Sequence, residues 1–371
     1  MDKKVTCSIT LFAVLFPMML LADDAPMPKI NVVLFTPSDI RRPDGVEERL
    51  TQVADYTETF FVTWMKHWGY PPQRAAIFER TADRKVQVLY LEGKDTLSSG
   101  KYREATFAPE VWNTALPKYN LGRHRHVWWV WVYLGDPPER FTEFRGFGDV
   151  AKGGTAFANF SSLPGNIKVD DLLGNPFLAG IELKGCIHEF GHAFGLPHEG
   201  PVLRDNLGMP LMGANILSFR RRTGTQEKRA YLSKASSAML WKHPVFSGTA
   251  KRRDEMPTCH VASLTLDNGR HGEVIHVEGQ LQSSIPAHSV VVLDSVPNEQ
   301  EDYWQKSYAA RIDEKGHFDV TITEPTHSPG TLRILFCFDN GVITGDGQNH
   351  GIDGALVKRY LATPNGYGLV E

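Results

Sequence analysis

From Cys186 to His198 the chain reads Cys-Ile-His-Glu-Phe-Gly-His-Ala-Phe-Gly-Leu-Pro-His, which contains the pattern HExxHxxGxxH. His188 and His192 are four residues apart, so on a helix they share a face and can direct imidazole nitrogens at one Zn²⁺ at about 2.0–2.1 Å. Gly195 suits a left-handed helix end, which would turn the chain sharply and bring His198 round as a third ligand. Three protein ligands leave one coordination position open, the arrangement of a catalytic rather than a structural zinc. Glu189 stands beside a ligand without being one. It is placed to take a proton from a water whose pKa zinc lowers to about 7, and to pass that proton on. Chance alone would produce the bare HExxH in roughly three such chains per hundred but the full pattern in about one per ten thousand, so the long form carries the weight. Cys186 lies about 200° round the helix from His188 and should face the core.

The wording HEFGHAFGL resembles the metzincin clan of zinc endopeptidases, and matrixins in particular. The resemblance covers about residues 29–245 and implies an α/β metzincin-like catalytic domain, a twisted mixed sheet with long helices. It implies that Met212, in Pro210-Leu211-Met212-Gly213, forms a Met-turn, an apolar floor beneath the histidines that does not ligate. The activity implied is hydrolysis of a protein or peptide substrate with one catalytic Zn²⁺, His188, His192 and His198 as ligands and Glu189 as general base and then acid. The substrate would lie extended along the strand from Gly153 to Phe160, with Gly153, Gly154, Ala156 and Ala158 forming an exposed edge. The chain departs from the family in places. Phe157 stands where a matrixin offers a histidine to a second, structural zinc, so that ion is not expected. Asp170 and Asp171 could ligate Ca²⁺ but read as solvated loop. Glu199 after His198 is similar to astacins, yet Ala214 occupies the place of their tyrosine ligand.

The elements that must position these residues begin at an apolar strand, Ile30 to Phe35. Val46, Leu50, Val53, Thr57, Phe60, Trp64 and Trp68 follow at helical spacing, with Asp44 near the start and Gly69 at the end. Val86 to Leu91 and Val127 to Leu134 read as strands. The second is apolar on both faces, so its tryptophans read as core rather than as a ligand platform. Gly153 to Phe160 is a shorter strand and 161–179 a loop. A helix then carries the motif, an irregular stretch runs to about Gly224, and a further helix is predicted from Gln226 to Lys242. Residues 247–257 read as a linker, in which Lys251-Arg252-Arg253, like Arg220-Arg221-Arg222, is a solvated charge run. From 258 to 371, short strands predict an all-β sandwich of immunoglobulin or fibronectin type: Val274 to Glu278, Ser289 to Leu293, Ser307 to Ile312, Phe318 to Ile322 and Thr331 to Phe338. In the last of these Leu332, Ile334, Phe336 and Phe338 share one face, which should pack on a second sheet. Gly345 to Asp353 is turn-rich but lacks the alternating oxygen ligands of a calcium loop.

Composition narrows the partners. With 40 basic and 43 acidic residues the formal charge is −3, so no bulk field draws the chain to nucleic acid or to an anionic membrane. Lys3-Lys4 before an apolar run that ends at Leu21-Ala22 reads as a signal peptide over residues 1–22, with a mature peptidase domain over 23–246. Secretion to an extracellular or periplasmic space follows, with no membrane span retained, and no room remains for a folded prosegment. Export permits disulfides, and Cys259 with Cys337 is the expected pair. Two other readings stay open: a non-catalytic binding protein on a zinc-peptidase scaffold, and a zinc amidase acting on a non-peptide amide. The oligomeric state is not encoded in any pattern the sequence displays.

Overall fold

A computed structural model describes residues 27–122, 126–135, 141, 143–149, 153–163, 181–227, 229–268, 274–295, 302–326, 329–364 and 366–370. The segment 1–22, Asp170, Asp171 and most of the loop read over 161–179 lie outside them. In the N-terminal half the order is β1 (Ile30–Thr36), α1 (Val46–His67), β2 (Val88–Glu92), α2 (Ala108–Lys118), β3 (Val127–Val132), β4 (Arg145–Asp149), β5 (Gly153–Asn159) and α3 (Ile181–Ala193). The five strands make one sheet in the order β2-β1-β3-β5-β4, parallel except for β4, which runs antiparallel to β5. Alternate residues of β1 divide the layers. Val32 and Leu34 join α1 and α3 in one core, while Val33 and Phe35 join Val111 and Ala115 of α2 in another. The tryptophans of β3 are core: the ring of Trp129 stacks on Phe190 of α3 at 4.3 Å.

β4 overturns one expectation. Gly153, Gly154, Ala156 and Ala158 do not form the exposed edge, because β5 is bonded on both sides, and the edge is Arg145–Asp149. Arg-Gly-Phe-Gly-Asp hides its strand character, since Gly at alternate positions shows no apolar face. The glycines are needed by α3. A Cβ on Gly146 would strike the Glu189 carbonyl oxygen, and one on Gly148 would lie 2.6 Å from that of Ala193.

Beyond α3 come β6 (Met209–Pro210), α4 (Ile216–Thr223), β7 (Ala230–Tyr231), α5 (Lys234–Trp241) and α6 (Pro244–Ser247). The helix predicted from Gln226 therefore starts only at Lys234, where the Ser233 side chain accepts the Ser236 N–H as N-cap, and the stretch read as irregular contains α4. Arg253, read as part of a solvated run, is 1% exposed.

The C-terminal half comprises β8 (Cys259–Asn268), β9 (Ile275–Ser283), β10 (Ala287–Ser295), β11 (Lys306–Arg311), β12 (His317–Ile322), β13 (Gly330–Phe338), β14 (Ile343–Thr344), β15 (Leu356–Thr363) and β16 (Gly366–Val370). It forms two antiparallel sheets, one ordered β11-β10-β13-β15-β16 with β14 beside β13, the other β12-β9-β8. Leu332, Ile334, Phe336 and Phe338 face Val277, Phe318 and Val320 of the smaller sheet, as their spacing predicts. The opposite face is also covered. Val291, Leu293, Leu335 and Cys337 share a core with Ala235, Ala238 and Met239 of α5, so the larger sheet is packed between α5 and the smaller sheet.

This explains why the expected disulfide is not formed. Cys337 points toward α5 while Cys259 lies on the far side of β13, beside the inner core, and both thiols are free. In the turn after β14, the Asp346 carboxylate accepts the N–H groups of Gln348 and Asn349, which occupies it within its own loop. No helix among the described residues is long and apolar enough to cross a membrane.

Candidate metal centre

Helix α3 carries His188, Glu189 and His192, and its end is built as the glycine suggested. Gly195 takes φ 85° and donates its N–H to the His192 carbonyl at 2.8 Å, while Leu196 donates to Gly191 at 3.2 Å. This left-handed cap reverses the chain and sets His198 beside the other two imidazoles. Nε2 of His192 lies 3.1 Å from Nε2 of His188 and 2.9 Å from Nε2 of His198.

The outward nitrogens decide the protonation. Nδ1 of His188 meets the Leu211 carbonyl at 2.7 Å, Nδ1 of His192 the Leu196 carbonyl at 2.8 Å, and Nδ1 of His198 the Asp302 carboxylate at 2.8 Å. Each partner is an acceptor, so each Nδ1 carries the hydrogen and each Nε2 presents a lone pair. With the His192 lone pair about 3 Å from each of the other two, the three repel one another unless a cation sits among them. The donor set thus fits a metal ion, and three imidazoles with an open side suit Zn²⁺. Burial pushes the pKa of His192 down to about 4 and that of His188 well below its ordinary value, which favours the neutral, ligating form.

Below the helix Met212 is fully buried, and a Cβ on Gly191 would strike its sulfur, so the methionine expected beneath the histidines lies against the turn of α3 that joins Glu189 to His192. Beside the histidines is a cavity of about 440 Å³, lined among others by Glu189, Lys184, Ala214, Asn215, Tyr303 and Trp304. Burial raises the Glu189 pKa to about 7, opposed by the Gly146 N–H of β4 and by Lys184. Lys184 is itself buried, donates to the Gly213 carbonyl at 2.7 Å, and is pushed down to about 7 by desolvation. Gly153 and Gly154 instead line another cavity, with Trp112, Trp128 and Phe147.

The residues missed by sequence reasoning are Gly146, Lys184 and, above all, the segment between β10 and β11. The Tyr303 ring stacks on His198 with centroids 3.7 Å apart, and Gln305 Nε2 donates to the His198 carbonyl at 2.6 Å. Glu199, next in sequence, is buried and accepts from Ser233, Ser236 and Ser307 at 2.6–2.9 Å. Burial raises its pKa, and the three hydroxyl donors oppose the rise. No periodicity marks Asp302 or Tyr303, so no signal in the sequence could have found them.

No family model matches the sequence, and no curated protein matches it. Solved structures do. OgpA from Akkermansia muciniphila, crystallised in a catalytically inactive form with an O-glycopeptide (glycodrosocin) substrate, aligns with a TM-score of 0.64 at 19% identity, over 91% of this chain and 97% of that one. A crystal structure of wild-type OgpA aligns at 0.62 and 21% identity, over 95% and 99% of the two chains. The likeness spans both halves and shows a shared two-domain fold, a mixed α/β part followed by an antiparallel β part.

Proposed function

We propose that this chain is a secreted zinc-dependent endopeptidase. The observation that carries the reading is the convergence of three Nε2 lone pairs at the side of a cavity that also contains the Glu189 carboxylate. Bound Zn²⁺ supplies Lewis acidity, which polarises the scissile carbonyl and makes water acidic enough to react near neutral pH. Glu189 accepts the proton of the attacking water and returns it to the leaving amine. The Gly146 N–H holds this carboxylate toward β4, and the substrate backbone runs extended along the open side of β4. The metzincin relationship expected from HEFGHAFGL, with Met212 as the Met-turn residue, belongs to this reading. The fold shared with OgpA, solved with an O-glycopeptide, makes glycosylated peptides the first substrate class to test.

The test is hydrolysis of quenched peptide and O-glycopeptide pools by zinc-loaded protein and by Glu189→Ala. The variant keeps all three ligands, so it should retain metal and lose about 10²–10⁴-fold in rate. Wild-type protein that holds zinc yet cleaves neither pool would favour a binding protein, and cleavage of simple amides alone would favour the amidase. Unimpaired cleavage by Glu189→Ala would refute the mechanism.

A further inference from the structure

We infer that the β-sandwich half is part of the metal centre, with Asp302 as the positioning residue of His198. The inference rests on the zinc reading of the site but not on peptide cleavage. His188 and His192 are oriented by main-chain carbonyls of their own half, Leu211 and Leu196. His198 is different: its Nδ1 partner is a carboxylate 104 positions further along the chain, on the connection between β10 and β11. The cap at Gly195 brings His198 to the site, but among the described residues the partner of its Nδ1 comes from outside the N-terminal half.

That connection is built to do so. Gly200 pairs with it through a bridge to Lys306, and a Cβ on Gly200 would lie 2.5 Å from the Trp304 Cα, so only glycine lets the two backbones lie together. Tyr303 then covers one face of the His198 ring at 3.7 Å, while Asp302 takes its Nδ1 hydrogen at 2.8 Å. Stacking sets the plane of the ring and the carboxylate sets its rotation, so Nε2 stays aimed at the other two imidazoles. A carboxylate behind an imidazole also makes Nε2 a stronger donor to a metal than a carbonyl would, and loss of such a partner commonly weakens metal affinity about 10–100-fold. Asp302 is half exposed and is not itself among the residues that line the cavity, so its hydrogen bond reaches the site through His198.

The experiment measures zinc affinity of the full-length chain by competition with a chromophoric chelator, without any peptide, for wild type, Asp302→Ala and Asp302→Asn. The visible spectrum of the Co²⁺-substituted forms reports coordination geometry. Asp302→Ala should bind zinc about 10–100-fold more weakly and show an altered cobalt spectrum, with the unfolding midpoint of the metal-free protein unchanged. Asp302→Asn keeps an oxygen acceptor for the Nδ1 hydrogen and should recover most of the affinity together with the wild-type spectrum. Asp302→Ala that binds zinc within twofold of wild type, with an unaltered spectrum, would overturn the inference. So would equal losses in both variants accompanied by a lowered unfolding midpoint, which would mean that the connection has only been loosened. Wild type that binds zinc but cleaves no peptide would sink the proposed activity and leave this inference standing.

Discussion

Gly191→Ala puts two effects of opposite sign against each other at the centre of the site. Gly191 lies within α3, where alanine in place of glycine favours the helix by about 1 kcal/mol. The added Cβ would strike the Met212 sulfur and lie 3.2 Å from its Cε and 3.5 Å from Leu196 Cδ1. Met is flexible, but Met212 has no exposed surface, so it cannot swing into solvent, and its displacement must push neighbouring core residues. Overpacking of this kind costs about 1–3 kcal/mol, which leaves a net destabilisation between about zero and 2 kcal/mol. Met212→Ala alone empties a buried site and should cost about 2–5 kcal/mol. In the double variant the new Cβ occupies part of that space and the helix gain is no longer opposed, so it should be about 1 kcal/mol more stable than Met212→Ala. The coupling is therefore favourable, within the 0.5–3 kcal/mol or so seen for residues in contact. Equilibrium urea unfolding of the four metal-free proteins, with slopes compared to exclude changes in the unfolded state, measures it. If Gly191→Ala is about 1 kcal/mol more stable than wild type and the two changes add, then Met212 does not lie against the helix and the packing argument fails.

Cys186, Cys259 and Cys337 should all be reduced in the native protein, and intact-mass measurement after alkylation in denaturant should count three modified thiols in residues 23–371; a Cys259–Cys337 bridge would contradict the opposite placement of the two side chains. Without denaturant, burial raises the Cys337 thiol far above its ordinary pKa and Cys259 to about 11, so both should react slowly at pH 8. Lys184 gives a pH signature. Its folded pKa of about 7 lies below the ordinary lysine value, so the unfolded chain binds the extra proton and this group's contribution to stability should rise with pH from about 7 toward 10. Metal-free wild type should therefore gain on Lys184→Met over that range, and a gap independent of pH would refute the assignment. Between the halves, Arg311 donates to the Gly69 carbonyl at 2.6 Å and lies 4.0 Å and 4.2 Å over the rings of Tyr70 and Trp241. Arg311→Ala should lower stability by about 1 kcal/mol without altering zinc affinity, and a change in affinity would mean that this contact reaches the metal centre.

Local order in the chain was enough to bring the three histidines of the candidate metal site together, because a spacing of four residues on a helix is itself a distance, and because a glycine after the second histidine has a backbone reason that needs no partner. It was enough for α1, whose apolar stripe repeats over 22 residues, and for β1 and β3, where continuous apolar runs mark strands buried on both faces. It did not reveal α2, which contains two prolines, or β4, whose glycines remove the alternation that would mark a strand. Which strand is the edge depends on pairing between distant segments, and β5 looks the same from its sequence whether or not β4 lies beside it. The cysteines were misjudged for a related reason. Membership of one sandwich says nothing of which face of β13 a thiol occupies, and that became settled only when the larger sheet packed against α5. Asp302 is the extreme case: a lone acidic residue in a turn carries no period, and its meaning arises only because Gly200 and Lys306 bring two distant backbones together beside His198.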